Sequence, residues 1–201
     1  SEKRHRDFSA NVAHELRTPL AVLRTRLDSM DDTPEHRAMR EEVSGMARLL
    51  DQMLTAARLE KISAETFRPL DLRDVGVRAA AALGHLAVAE GRLVELIGHD
   101  GPVTVDGNVD AVDQAVRNLI ENAIKYSSRG TTITIDVDDS PSPGPSLGVI
   151  NRGATISPEV RPLIFERFQR ADRRGEGRGL GIGLSIVKQV ADAHNAKIVV
   201  E

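Results

Sequence analysis

Three stretches of this chain carry side chains whose type and spacing could do chemistry. The first is Phe8-Ser9-Ala10-Asn11-Val12-Ala13-His14-Glu15-Leu16-Arg17-Thr18-Pro19-Leu20. It reads as a helix presenting one imidazole, the side chain that is largely neutral and nucleophilic at neutral pH. Glu15 beside it can hold the second ring nitrogen and so aim the lone pair of the first. The second stretch places Asn118, Glu121, Asn122 and Lys125 at i, i+3, i+4 and i+7 of a helix, on one polar stripe. Two carboxamides, a carboxylate and a lysine offer oxygen ligands for Mg²⁺ and a cation for phosphates; on spacing alone, a solvated face of an amphipathic helix is the simpler reading. The third is a run in which Gly175, Gly177, Gly179, Gly181 and Gly183 recur at every second position, with a helix expected from about Gly181. Backbone N–H groups freed by glycine, and a helix N-terminus, both favour anions; a flexible loop would look the same. No Gly-Lys-Ser/Thr follows, so this is no Walker A loop, and no strand directly precedes it as in a dinucleotide fingerprint.

The elements that must position these groups follow from periodicity. Ala13, Leu16, Leu20, Leu23, Leu27 and Met30 alternate steps of three and four, the seam of a packed helix over about 3–30. His14 lies one position past the seam and faces outward. Pro19 removes one helical hydrogen bond, and either bends the axis just past His14 or is a tolerated kink. Asp31-Asp32-Thr33-Pro34 breaks the pattern, with Thr33 as the cap and Pro34 at the first position of the next helix. That helix, about 34–61, repeats the seam with Met39, Val43, Met46, Leu50, Met53 and Ala57. A lone hairpin leaves part of the seam wet, whereas a dimeric four-helix bundle buries it; a plain coiled-coil dimerisation hairpin shows the same periodicity.

Composition changes near 62–70. A short strand at 67–72 leads into an Ala-rich helix to about 90. Strands at 92–97 and 103–105 flank a Gly98–Pro102 turn, and a strong helix occupies 108–126. Strands at 131–137 and 147–150 form a hairpin, whose Pro-rich connection at 140–145 cannot pair in a sheet. A helix at 181–194 and a strand at 198–200 close the chain. Mixed strands and helices without strict alternation favour an α+β sandwich.

Bulk composition narrows the classes. The 201 residues suit one or two domains. With 40% hydrophobic residues and only 2% aromatic, the core must be aliphatic. The net charge of −3 and the scarcity of aromatics argue against a nucleic-acid partner. No cysteine is present, which excludes disulfides and thiolate metal sites. No apolar run reaches the roughly 20 residues of a membrane span. The start at Ser1, without Met or signal peptide, reads as a fragment cut from a longer protein. His5, His36, His85, His99 and His194 lack metal-ligand spacing and read as surface or partly packed residues.

Four motifs in order resemble those of sensor histidine kinases of two-component systems: the His14 box; Asn118-Leu119-Ile120-Glu121-Asn122-Ala123-Ile124-Lys125-Tyr126-Ser127, similar to the N box; Ile164-Phe165-Glu166-Arg167-Phe168, similar to the F box; and Gly179-Leu180-Gly181-Ile182-Gly183-Leu184-Ser185-Ile186-Val187-Lys188, similar to the second glycine box. The resemblance implies a dimerisation and phosphotransfer hairpin over 1–64. It implies an ATP-binding α/β sandwich of the gyrase and Hsp90 type over 65–201. It implies an ATP- and Mg²⁺-dependent protein-histidine kinase, with a homodimer and a response-regulator receiver domain as partners. His14 would be the phospho-acceptor and Glu15 its base or orienter. Thr18 would aim a water, with Glu15, in regulator dephosphorylation. Asn122 would hold Mg²⁺, with Glu121 and Asn118 shaping its shell, while Lys125 would meet phosphate oxygens and Tyr126 lie near the nucleotide. Arg167 or Arg170 would neutralise the transferring group. Residues 169–179 would form a lid, and Gly179, Leu180, Gly181, Gly183 and Leu184 would line the nucleotide.

Two places depart from the family pattern. The first glycine box, Asp-x-Gly-x-Gly, is here Asn151-Arg152-Gly153-Ala154-Thr155. Asn151 can still accept the adenine amino group, without charge assistance, and Thr155 stands where the second glycine would. Either ATP binds with altered affinity, or the pocket is degenerate and the chain is a phosphorelay or dimerisation module. After His194, Asn195-Ala196 replaces two glycines, and one more strand is expected beyond Glu201.

Overall fold

The computed structural model describes residues 16, 18–59, 64–166 and 182–200. The chain divides into two compact units, Ser1–Lys61 and Ile62–Glu201.

The first unit is helical. Residues 18–28 (α1) and Pro34–Leu59 (α2) are joined by a tight connection. Thr33 stops one helix and starts the next: its Oγ1 accepts from the His36 N–H at 3.2 Å and its carbonyl from the Arg37 N–H at 3.0 Å. The Asp32 carboxylate takes Arg37 at 2.8 Å and Arg40 at 3.1 Å, so both ion pairs brace the same turn. The apolar seam is unevenly covered. Leu27 is buried and Leu20, Val43 and Leu50 are half-buried, but Leu16, Leu23, Met30, Met39 and Met46 are exposed.

The second unit is α+β. Its elements run β1 (Arg68–Asp71), α3 (Leu72–Ala89), β2 (Leu93–Gly98), β3 (Thr104–Gly107), α4 (Val109–Tyr126), β4 (Thr132–Asp138), β5 (Ser146–Ile150) and α5 (Gly183–Ala193). β2, β4 and β5 form a three-stranded sheet in that order; β2 runs parallel to β4, with Leu93 opposite Thr132, and β5 antiparallel to β4, with Val149 opposite Ile135. The alternation in β4 sends Ile133, Ile135 and Val137 inward, all fully buried, and Thr132, Thr134 and Asp136 outward. Against this inner face lie Val75 and Ala79 of α3 and Val116, Ile120, Ala123 and Ile124 of α4. The core is aliphatic throughout, as the composition requires.

Pairing departs from the sequence expectation in two places. β2 and β3 do not form a hairpin around Gly98–Pro102. β3 instead pairs antiparallel with β1, with Val105 opposite Leu70, as a separate two-stranded sheet. Two groups redirect the chain. Gly98, at φ +97, turns against the Val137 carbonyl, where a Cβ would come within 2.1 Å. The Asp71 carboxylate, besides capping α3 through the Arg73 N–H at 3.0 Å, accepts the Val103 N–H at 2.9 Å and so draws the chain to β1. The β-branched run 198–200 is not a strand; the Val200 carbonyl accepts from Arg161 Nη1 at 3.3 Å.

Candidate nucleotide site

The site is built on α4. Asn108 caps its start, Oδ1 accepting from the Ala111 N–H at 3.0 Å. The Asn108 N–H donates to His194 Nε2 at 2.9 Å, while His194 Nδ1 lies 2.7 Å from the Val190 carbonyl. That partner set assigns the ring proton to Nδ1. The imidazole also stacks on Phe67, with centroids 4.4 Å apart. The end of α5 therefore holds the start of α4 in place.

The polar stripe of α4 is not uniformly solvated. Asn118 is buried, at 4% exposure, Asn122 and Lys125 are half-buried, and Glu121 is exposed. Asn118 faces the first turn of α5, where a Cβ on Gly183 would sit 3.6 Å from its Oδ1. Its Nδ2 is buried without a hydrogen-bond partner among the described residues. The N-cap of α5 is Ile182, whose side chain has no oxygen to cap the first N–H groups. An unpaired amide donor on the face of α4 that meets a helix N-terminus without a side-chain cap is suited to an anion. A plain solvated face would have neither feature.

The other end of α4 meets the loop after β5. Ser127 pairs with Gly153 as an isolated bridge, and the Ser128 N–H donates to the Arg152 carbonyl at 2.8 Å. A Cβ on Gly153 would lie 2.1 Å from the Tyr126 carbonyl, so only glycine permits this approach. Lys125 Nζ stands 4.8 Å from the Tyr126 ring centroid. The contact brings Lys125, Tyr126 and Gly153 together, with Asn151 exposed two residues before Gly153. Thr155 is exposed as well.

His14, Glu15, Arg167, Arg170, Gly179, Leu180, Gly181 and the expected lid 169–179 lie outside the described residues. Thr18 is helical and exposed in the first unit. Gly183 and Leu184 open α5, two residues after the expected start. Of the F box, Ile164 and Phe165 fall in a short 3-10 turn, Leu163–Phe165. Arg92, Ser127, Asn108 and His194 carry the framework and were not singled out by the sequence. Only Asn108, a carboxamide directly before an apolar helical pattern, had a readable signal. Among the described residues no group of three or more His, Cys, Asp or Glu could hold a metal. None of their helices is long and apolar enough to cross a membrane.

Comparison with known proteins places this geometry in a family. The model of the His Kinase A (phospho-acceptor) domain matches residues 4–62, and that of the Histidine kinase-, DNA gyrase B-, and HSP90-like ATPase matches residues 107–201. The sensor histidine kinase TrcS of Mycobacterium tuberculosis is 34% identical over 215 residues, covering 100% of this chain and 42% of TrcS. The solved structure of the mycobacterial sensor histidine kinase MprB matches with a TM-score of 0.55 at 30% identity, over 64% of this chain and 80% of that one. Full-length ShkA in complex with AMPPNP matches with a TM-score of 0.72 at 25% identity, over 93% of this chain and 41% of that one. The chain belongs to the sensor histidine kinases of two-component systems. It spans about half the length of the curated relatives it matches.

Proposed function

We propose that this chain is the catalytic core of its parent protein: it transfers the γ-phosphoryl group of ATP to His14 and then to an aspartate of a response-regulator receiver domain. Residues 1–64 serve as the dimerisation and phosphotransfer domain and 65–201 as the ATP-binding domain. The parent is read as working at a membrane with this part on the cytoplasmic side; relatives about twice as long leave room for the anchoring segments. The observation that carries the proposal is the unpartnered Nδ2 of buried Asn118, a residue whose side chain faces the first turn of α5. Leaving that donor unsatisfied costs about 1–3 kcal/mol, which a hydrogen bond to a nucleotide oxygen would offset.

Phosphoryl transfer asks mainly for positioning and charge neutralisation. One His14 ring nitrogen uses its lone pair to form the N–P bond while the P–O bond to the leaving ADP breaks, and Glu15 accepts the hydrogen bond of the other ring N–H. Lys125, with Arg167 or Arg170, neutralises phosphate charge, and the N–H groups of Gly179, Leu180, Gly181, Gly183 and Leu184 line the phosphates. Asn151 accepts from the adenine amino group. The donor set fits Mg²⁺: Asn122 and Glu121 offer hard oxygens on one helical face, and the ion would supply charge neutralisation there. Thr18, exposed and four positions after His14 in the sequence, would aim a water with Glu15 when the regulator is dephosphorylated.

Incubation with γ-labelled ATP and Mg²⁺ tests this. The expected product is acid-labile, alkali-stable label that His14→Gln abolishes and that chases to a regulator. Label surviving in His14→Gln would overturn the assignment.

A further inference from the structure

Arg92 stands just before β2, where an arginine ordinarily reads as a solvated strand flank. It is instead buried, at 9% exposure. Burying a guanidinium costs several kcal/mol unless its donors are matched, so its partners show what it holds. Nη2 donates to the Ser127 carbonyl at 2.6 Å and Nε to Ser127 Oγ at 3.3 Å. Nη1 donates to the Glu90 carbonyl and lies 3.5 Å from the Glu90 carboxylate. The Arg92 N–H donates to the Ala87 carbonyl at 2.8 Å. One side chain thus ties the end of α3 to the end of α4.

Ser127 is the residue through which this tie reaches further. It is 4% exposed and is the C-cap of α4, its N–H donating to the Ala123 carbonyl at 2.9 Å. It also bridges to Gly153. A cation at a helix C-terminus is favourable in itself, because it faces unsatisfied carbonyls. Here the fork does more, since it fixes both the carbonyl and the hydroxyl of the residue that joins two walls. One wall is the last turn of α4, with Lys125 and Tyr126; the other is the loop of Asn151 and Gly153. No other charged side chain is buried to this degree among the described residues.

We propose that Arg92 is a positioning residue for the base end of the nucleotide: by holding Ser127 it sets the spacing between the Lys125–Tyr126 turn and the Asn151–Gly153 loop. This rests on the reading of α4 as the nucleotide-binding face. Arg92 touches no reacting atom, so its loss weakens ground-state binding and leaves the chemical step alone. Lysine keeps the charge but cannot make the two-point contact to Ser127.

The test titrates ADP and ATP separately, with Mg²⁺, into the 1–201 chain and into Arg92→Gln and Arg92→Lys, alongside labelling rates at saturating ATP and thermal unfolding. Arg92→Gln should raise Kd for ADP and ATP alike by about tenfold, the loss expected from one charge-assisted contact. The maximal labelling rate should stay within about twofold, a split between binding and turnover. Arg92→Lys should fall between Gln and wild type. Should neither Arg92 variant fold, Ser127→Ala removes only the hydroxyl acceptor of Arg92 Nε and should raise both Kd values about two- to threefold, with a fall in Tm of a few degrees for the donor left unpaired. Wild-type Kd values in the variants, whatever the Tm, would overturn the assignment and leave Arg92 a structural tie. If wild type binds neither nucleotide, the reading of α4 fails and the proposal fails with it.

Discussion

Asn118 shows how a single side chain can serve binding at the expense of stability. A buried amide donor without a partner costs about 1–3 kcal/mol, whereas an apolar side chain of similar volume at the same place carries no such penalty. Asn118→Leu should therefore leave Tm unchanged or raise it by a few degrees, while lowering affinity for ADP and ATP at least about tenfold. Thermal unfolding and nucleotide titration of the same preparation read both effects. A lowered Tm with unchanged affinity would make the amide structural. At this scale the sequence was partly legible. The i, i+3, i+4, i+7 spacing placed Asn118, Glu121, Asn122 and Lys125 on one stripe, but it could not say that Asn118 turns into the α4–α5 contact while Glu121 stays exposed. Burial of a polar group depends on a neighbour that arrives from some 65 residues further along. Arg92 was illegible for the same reason, since its two acceptors on Ser127 lie 35 positions away.

Between elements, the Ser127–Gly153 contact is the most exacting junction. A methyl at 153 would meet the Tyr126 carbonyl oxygen at 2.1 Å, and a backbone atom cannot step aside as a flexible side chain can. Gly153→Ala should destabilise the second unit by about 1–3 kcal/mol, a fall in Tm of roughly 3–10 °C, and weaken nucleotide binding through the displaced loop. Calorimetric unfolding and titration check this; a variant unchanged in both would show the junction to be slack. Among the described residues, the helices of the second unit were readable nearly to their ends because a 3.6-residue period is a local signal. Strand existence was readable for the same reason, from alternation in 131–137 and 92–97. Strand partnership was not. The Gly98–Pro102 turn suggested a β2–β3 hairpin, yet the partner of β3 is β1, selected by the Asp71 carboxylate reaching across 32 positions to the Val103 N–H. The run at 198–200 has strand-forming residues but no ladder, because a strand is completed by a partner rather than by propensity.

For the molecule as a whole, the helical unit poses a problem that one copy does not solve. Leu16, Leu23, Met30, Met39 and Met46 are exposed on a seam whose period is that of a bundle, while Leu27 of the same seam is buried. Full burial of a Leu or Met side chain contributes about 1.5–3 kcal/mol, so covering several of them in a second copy outweighs the cost of association. A symmetric pairing doubles every such contact, because each seam residue is buried twice. Leu23→Glu combined with Met46→Glu places a carboxylate on the seam in each helix, and the four charges of a dimer would repel one another where apolar contact is needed. Sedimentation equilibrium should show the wild-type chain as a dimer and the double variant dissociated by at least about a hundredfold in Kd. Val88, exposed on α3 of the second unit and off the seam, provides the control: Val88→Glu should sediment as wild type. Nucleotide affinity per chain should be the same in all three, since α4, α5 and the 151–153 loop all belong to the second unit. A double variant that remains dimeric would mean that the seam is covered in some other way, and one that loses nucleotide affinity would mean that the second unit does not bind independently of the first.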